Sequence, residues 1–157
     1  MKPLVYIETS VVSYLTGRPS AHVVVAGRQE VTRRWWQHER GDYRLFISEF
    51  VVSEAGAGDP GSAQLRLDAL ANLPQVGLPR EAEELAHTLV HPGPIPAKAS
   101  IDASHIAASV AGGADYLLTW NFKHLANAAL RKRIDEICRS RGFEPPVICT
   151  PEELSRI

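Results

Sequence analysis

The sequence predicts one three-layer α/β/α domain, residues 1–157, built on a central, mostly parallel sheet, and three observations predict it. Short apolar runs alternate with segments of helical periodicity along the whole chain. The first of these runs, Leu4-Val5-Tyr6-Ile7, is apolar at every position, as a strand covered on both faces requires. The 157 residues, 45% of them hydrophobic, supply material for one packed core and show no repeat period.

The elements follow in order. The first strand stops at Glu8-Thr9-Ser10, after which Val11, Val12, Tyr14 and Leu15 recur at helical spacing. A second, arginine-rich helical stretch runs from about Ala21 to Glu39, and Leu45-Phe46-Ile47 predicts the next strand. Ser48 is placed to cap a helix containing Phe50, Val51 and Glu54, which the cluster Gly56-Ala57-Gly58-Asp59-Pro60-Gly61 ends. Helix resumes from Leu65 to Leu73. Between Pro79 and His91, the positions Ala82, Leu85, Ala86, Leu89 and Val90 trace one helical face, and a proline-rich loop follows to Pro96. Ser100 is expected to cap a helix with Ala103, Ile106, Ala107 and Val110 on its apolar face and Asp102, His105 and Ser109 on its polar face, closed by Gly112-Gly113. Tyr116-Leu117-Leu118-Thr119 predicts a strand. Leu130, Ile134, Ile137 and Cys138 lie on one side of a helix, and Val147-Ile148-Cys149 predicts the last strand.

Composition narrows the class of function. With 17 Lys+Arg against 18 Asp+Glu, no global field draws the chain onto nucleic acid or anionic lipid, so any polyanion site must be local. No apolar run approaches the roughly 18 residues of a membrane span, and the N-terminal segment lacks the apolar stretch of a secretory signal. The expectation is a cytoplasmic protein with no membrane partner. Cys138 and Cys149 show no metal-ligand spacing and read as buried thiols.

Four polar residues in apolar surroundings are the candidates for chemistry. Glu8 directly follows the first strand, Glu54 shares a helical face with Phe50 and Val51, Asp102 begins the polar face of its helix, and Asn121 lies two residues past Thr119. In an open parallel sheet, ligands bind outside the carboxyl ends of the strands, where Glu8 and Asn121 fall and where Glu54 and Asp102 can reach. Carboxylates gathered there repel one another and lose solvation, so they persist if protonated or if a cation neutralises them. Hard oxygen donors suit Mg²⁺ or Mn²⁺, which can activate water and clamp a phosphodiester. Taken singly, each residue also has a structural role open to it: Asp102 as a first-turn acid, Glu54 as a solvated helix charge, Glu8 as a strand stop, Asn121 as a turn residue.

The segments Tyr6-Ile7-Glu8-Thr9-Ser10-Val11-Val12, Ser48 through Glu54, Ile101 through Ala107, and Ala114 through Phe122 resemble, in this order, the motifs of PIN-domain proteins, and in particular the VapC-like toxins of type II toxin–antitoxin systems. The resemblance runs over nearly the whole chain. It implies an α/β/α domain, Mg²⁺- or Mn²⁺-dependent endoribonuclease activity on RNA, frequent homodimerisation and inhibition by a cognate antitoxin protein. By motif, Glu8, Glu54, Asp102 and Asn121 take the four catalytic positions. The first three are implied metal ligands, and Thr9, Ser10 and Thr119 are supporting hydroxyls. Glu8 and Asn121 stand where the family usually has Asp, so three carboxylates face the metal in place of four.

Other readings compete with this one. Gly56 to Gly61 matches G-x-G-x-x-G, but Pro60 removes an N–H from a loop that would have to present N–H groups to a pyrophosphate. A phosphoacceptor regulator would need an Asp at a central strand end, which the sequence does not offer. A PIN-like module that binds RNA or antitoxin without cutting is the alternative that Asn121 sustains. For RNA contact, Trp120 and Lys123 are the expected residues, and the Trp35-Trp36 pair is expected in the core or a dimer contact. Among the histidines, His105, one turn after Asp102, is the one worth testing.

Overall fold

The structure is a computed structural model that describes residues 1–156. Five strands, β1 (Leu4–Ile7), β2 (Arg44–Ser48), β3 (Gln75–Val76), β4 (Tyr116–Leu118) and β5 (Val147–Cys149), form one sheet in the order β3-β2-β1-β4-β5. Every pairing is parallel, with Tyr6 opposite Phe46 on one side and Leu117 on the other. The helices are α1 (Thr9–Thr16), α2 (Val23–Arg34), α3 (Glu49–Ala55), α4 (Pro60–Leu70), α5 (Arg80–Val90), α6 (Ser100–Ala111), α7 (Ala128–Ser140) and α8 (Pro151–Leu154). α2 packs with α1 and α8, and α5 packs with α6 and α7, which gives the two helical layers. β1 is at the centre, and Val5, Tyr6 and Ile7 are wholly buried, as the unbroken apolar run predicts.

Where the elements depart from expectation, the causes are local. β3 is two residues long, too short to leave a period in the sequence, and exists by pairing with Ile47 and Ser48. The second helical stretch ends as an α-helix at Arg34 and continues through a π-helical turn, Trp35–Glu39, and a 3₁₀ turn, Arg40–Asp42. Helix resumes at Pro60, earlier than Leu65, because Asp59 accepts the Ser62 N–H (2.9 Å) and Pro60 suits a first helical position. Arg66 in turn donates to the carbonyls of Ala55 (2.9 Å) and Ala57 (2.7 Å) at the end of α3. The glycine cluster therefore joins two helices, and Gly58, at φ +84°, makes the turn. It does not have the strand-to-helix setting of a dinucleotide loop.

Two expected caps differ. A 3₁₀ turn, Ala97–Ala99, runs directly into α6, so Ser100 is its first helical residue and makes no side-chain cap. Ser48 occupies the N-cap position of α3, but its hydroxyl bonds to Tyr6 instead. The polar face of α6 is also buried, with His105 and Ser109 wholly inaccessible and Asp102 9% exposed. That face looks into the molecule, not to solvent. Among the described residues, no helix is long and apolar enough to cross a membrane. Cys138 and Cys149 are free and buried, and burial pushes both thiols up to about 12, so neither is a ready nucleophile at neutral pH.

Candidate metal centre

The chain steps from β1 to β2 and β3 on one side of the sheet, then returns to β4 and β5 on the other. The reversal leaves a crevice at the carboxyl end of β1, the place where parallel sheets bind ligands. Polar residues meet there because each strand's apolar run ends on one: Glu8 after β1, Ser48 closing β2, and Thr119 after β4.

Glu8 is held from three directions. Its N–H continues the ladder to the Leu118 carbonyl (3.1 Å), and its side chain folds back to cap α1, with Oε2 accepting the Ser10 N–H (2.9 Å). Oε1 accepts the hydroxyls of Ser10 (2.5 Å) and Thr119 (2.5 Å). Folded back over the helix terminus, the carboxylate also lies where the helix dipole favours it. The Ser10 oxygen accepts the Trp120 N–H (2.8 Å), so β1 and β4 are tied together across the crevice.

Glu54 reaches the same crevice from α3. Its Oε1 accepts the Thr9 hydroxyl (2.6 Å) and pairs with His105 Nε2 (2.6 Å), while Oε2 accepts no hydrogen bond among the described residues. Burial raises its pKa, but hydrogen bonds from His105 and Thr9 and the charge interaction with His105 outweigh it, leaving the carboxyl below its usual range. The other ring nitrogen of His105, Nδ1, lies 2.7 Å from the Tyr6 hydroxyl, which lies 2.7 Å from Ser48 Oγ. Burial pushes the Tyr6 phenol far above its ordinary value, so it remains a neutral donor.

Glu8, Glu54 and His105 each offer an atom, and these atoms all lie within 4.8 Å of one another, a cluster that could hold a metal ion. Asp102 is not one of that trio, but it interacts with the charges of Glu8 and His105. Burial raises its pKa, the hydrogen bond from Asn121 lowers it, and the negative charge of Glu8 adds to the rise. No Lys or Arg among the described residues forms an ion pair with Glu8 or Asp102. Two buried, unpaired carboxylates that repel one another, beside a third with a spare oxygen, suit a hard divalent cation.

The remaining candidates are placed as follows. Asn121 Oδ1 accepts the N–H groups of Lys123 and His124 (3.1 Å each), so the oxygen shapes the turn after β4 while the amide N–H faces Asp102. Thr9, Ser10 and Thr119 each donate to one of the two glutamates. Asp115, a further acid just before β4, lies at the opposite edge, where it accepts the Leu4 N–H (2.8 Å) at the start of β1. Trp120 requires a correction. It is 4% exposed, its indole N–H donates to Thr32 (2.8 Å), and it stacks on Tyr14, so it is a core residue that cannot take a base. Its neighbour Phe122 is the exposed ring, with the Arg28 guanidinium 4.6 Å above it, and Lys123 is exposed beside it. Trp35 is wholly buried, as expected. Sequence reasoning missed Tyr6 and Ser48, whose partners lie 42 and 99 residues away along the chain. A tyrosine inside an apolar strand was the one available signal.

No protein-family model and no curated protein matches the sequence. Among solved structures, the fold is similar to that of a chain in the crystal structure of VapBC2 from Rickettsia felis bound to a DNA fragment from its promoter. The TM-score is 0.59 and the identity 16%, over 94% of this chain and 98% of that chain. A likeness at this identity speaks for the α/β/α architecture with its parallel sheet.

Proposed function

We propose that this chain is a metal-dependent endoribonuclease of the VapC type that hydrolyses RNA phosphodiester bonds and is held in check by an antitoxin protein. The observation that carries this reading is the gathering of Glu8 and Glu54 in one crevice with Asp102 close enough to feel the charge of Glu8, and with no Lys or Arg among the described residues paired with Glu8 or Asp102. The likeness to a VapBC2 structure supports both the fold and a protein partner. The sequence resemblance adds RNA as substrate and a homodimer as the assembly.

Glu8, Glu54 and Asp102 would hold Mg²⁺ or Mn²⁺. A bound ion of this kind supplies Lewis-acid activation of water and neutralises charge at the scissile phosphate. The chain's own contribution is placement. Glu8 arrives with one oxygen fixed by two hydroxyls and the other by a backbone N–H; Glu54 arrives with Oε1 fixed and Oε2 free. Asn121 steadies Asp102 through its amide, and Lys123 is exposed at the rim to meet phosphate.

Incubating the purified chain with single-stranded RNA and Mn²⁺ is expected to give discrete cleavage products that EDTA abolishes. Cleavage that survives the chelator, or its absence with Mn²⁺ and Mg²⁺ alike, would refute the reading. The second outcome would favour the non-cutting RNA- or antitoxin-binding module, which the neutral Asn121 sustains.

Asn121 also yields a prediction of opposite signs in two measurements. An Asp at 121 can accept the same two backbone N–H groups, but it replaces the donor facing Asp102 with a negative charge. Asn121→Asp is expected to lower the melting temperature of the metal-free protein at neutral pH. Calorimetry is expected to show Mn²⁺ bound on the order of tenfold more tightly.

A further inference from the structure

Resting on the reading of this crevice as a metal centre, we infer that Tyr6 and His105 form a buried positioning relay that aims Glu54 at the ion, and that His105 is not itself a ligand. The occupation of both ring nitrogens carries the inference. An ionised carboxylate only accepts, so His105 must give its Nε2 proton to Glu54 Oε1 at 2.6 Å. The other ring nitrogen, Nδ1, is hydrogen-bonded to the Tyr6 hydroxyl at 2.7 Å, and the Tyr6 oxygen lies 2.7 Å from Ser48 Oγ. The four groups, Ser48, Tyr6, His105 and Glu54, make one continuous hydrogen-bonded chain.

Both ring nitrogens are thereby committed inside the protein, and the imidazole is wholly buried. Nothing remains on it with which to bind a cation, although Nε2 lies in the 4.8 Å cluster. What the ring determines is which oxygen of Glu54 is available. Oε1 carries both the Thr9 and His105 bonds, so Oε2 is the oxygen left for the crevice. The relay also stands on rigid supports. Tyr6 sits in the central strand with its ring edge-on to Phe46 (5.5 Å) and to His105 (5.9 Å), and Phe50 closes the far side of the imidazole (6.4 Å). Outer partners of this kind, when removed, cost metal sites about 10–100-fold in affinity.

The test is a calorimetric Mn²⁺ titration of the full chain beside Tyr6→Phe, His105→Ala and His105→Gln. Tyr6→Phe keeps the packed ring and removes only the hydroxyl. His105→Gln offers an amide N–H near the position of Nε2. Tyr6→Phe and His105→Ala are expected to weaken Mn²⁺ binding 10–100-fold, and His105→Gln to recover most of the loss. Electron spin-echo spectra of the Mn²⁺-loaded chain are expected to show no directly bound nitrogen. Wild-type affinity in both Tyr6→Phe and His105→Ala would overturn the relay. So would a nitrogen ligand in the spectra, or a His105→Gln variant as weak as His105→Ala beside an unaffected Tyr6→Phe, since these make His105 a ligand. If His105→Ala does not fold, Tyr6→Phe and the spectra decide. A wild-type chain that binds no Mn²⁺ would overturn the metal reading itself and the relay with it, an outcome distinct from all the others.

Discussion

Asp102→Ala is expected to lower Mn²⁺-dependent RNA cleavage on the order of 10²–10³-fold, a loss of several kcal/mol in stabilising charge at the phosphate. Asp102 is chosen because its environment is unfavourable to a bare charge. Burial and the field of Glu8 raise its pKa, and the hydrogen bond from Asn121 only partly offsets them. The sign of the accompanying stability change follows from linkage. The folded-state pKa lies above the unfolded one, so the fold favours the protonated acid. Stability from this group is complete below the unfolded value, about 3.9, and is lost as pH rises through the folded value. Asp102→Asn keeps the shape and removes the charge. In EDTA at pH 7, it should therefore melt higher than the unaltered chain, by about 1 kcal/mol of stability, and the gap should close towards pH 3–4. Added Mn²⁺ should reverse the order by stabilising the unaltered chain alone. A variant that loses activity but melts lower in EDTA at pH 7 would place Asp102 in a structural role.

Gly112→Ala is expected to destabilise the fold by about 1–3 kcal/mol, read as a lower midpoint in urea unfolding with an unchanged slope. The residue caps α6 at φ −79° and ψ −4°, a conformation alanine adopts freely, so no backbone strain contributes. The cost is steric. A Cβ there would stand 2.3 and 2.5 Å from two ring carbons of Phe46, itself buried in β2. Phe46 packs edge-on to Tyr6, so moving the ring also disturbs the support of His105 and Glu54. Mn²⁺ affinity should fall with stability. By contrast, Gly113, at φ +71° with open space around it, would lose stability on substitution for backbone reasons alone and should leave the site unchanged.

Much of the architecture was legible because it rests on local signals. The unbroken Leu4–Ile7 run, the alternation of apolar strands with helical periods, and the polar residues that end each strand announce a parallel sheet with chemistry at its carboxyl edge. The short strand β3 and the π-helical turn carry no such signal, since neither spans enough residues to show a period. Position alone predicts caps at Ser48 and Ser100, but a cap needs a free hydroxyl and an open helix end. Tyr6 claims the one hydroxyl, and the 3₁₀ turn closes the other end.

The sequence by itself determined the fold class and supplied the carboxylates, since hydrophobic periodicity and residue type act over neighbouring positions. It could not say which face of α6 is the interior, because a largely buried helix carries polar residues inward once they find partners. Only the tertiary structure decided that His105 turns to Glu54 and Tyr6, that the Asn121 oxygen serves the turn while its amide serves Asp102, and that Trp120 is core while Phe122 is exposed. Those outcomes depend on hydrogen bonds and packing between residues tens of positions apart, which exist only after the chain has closed on itself.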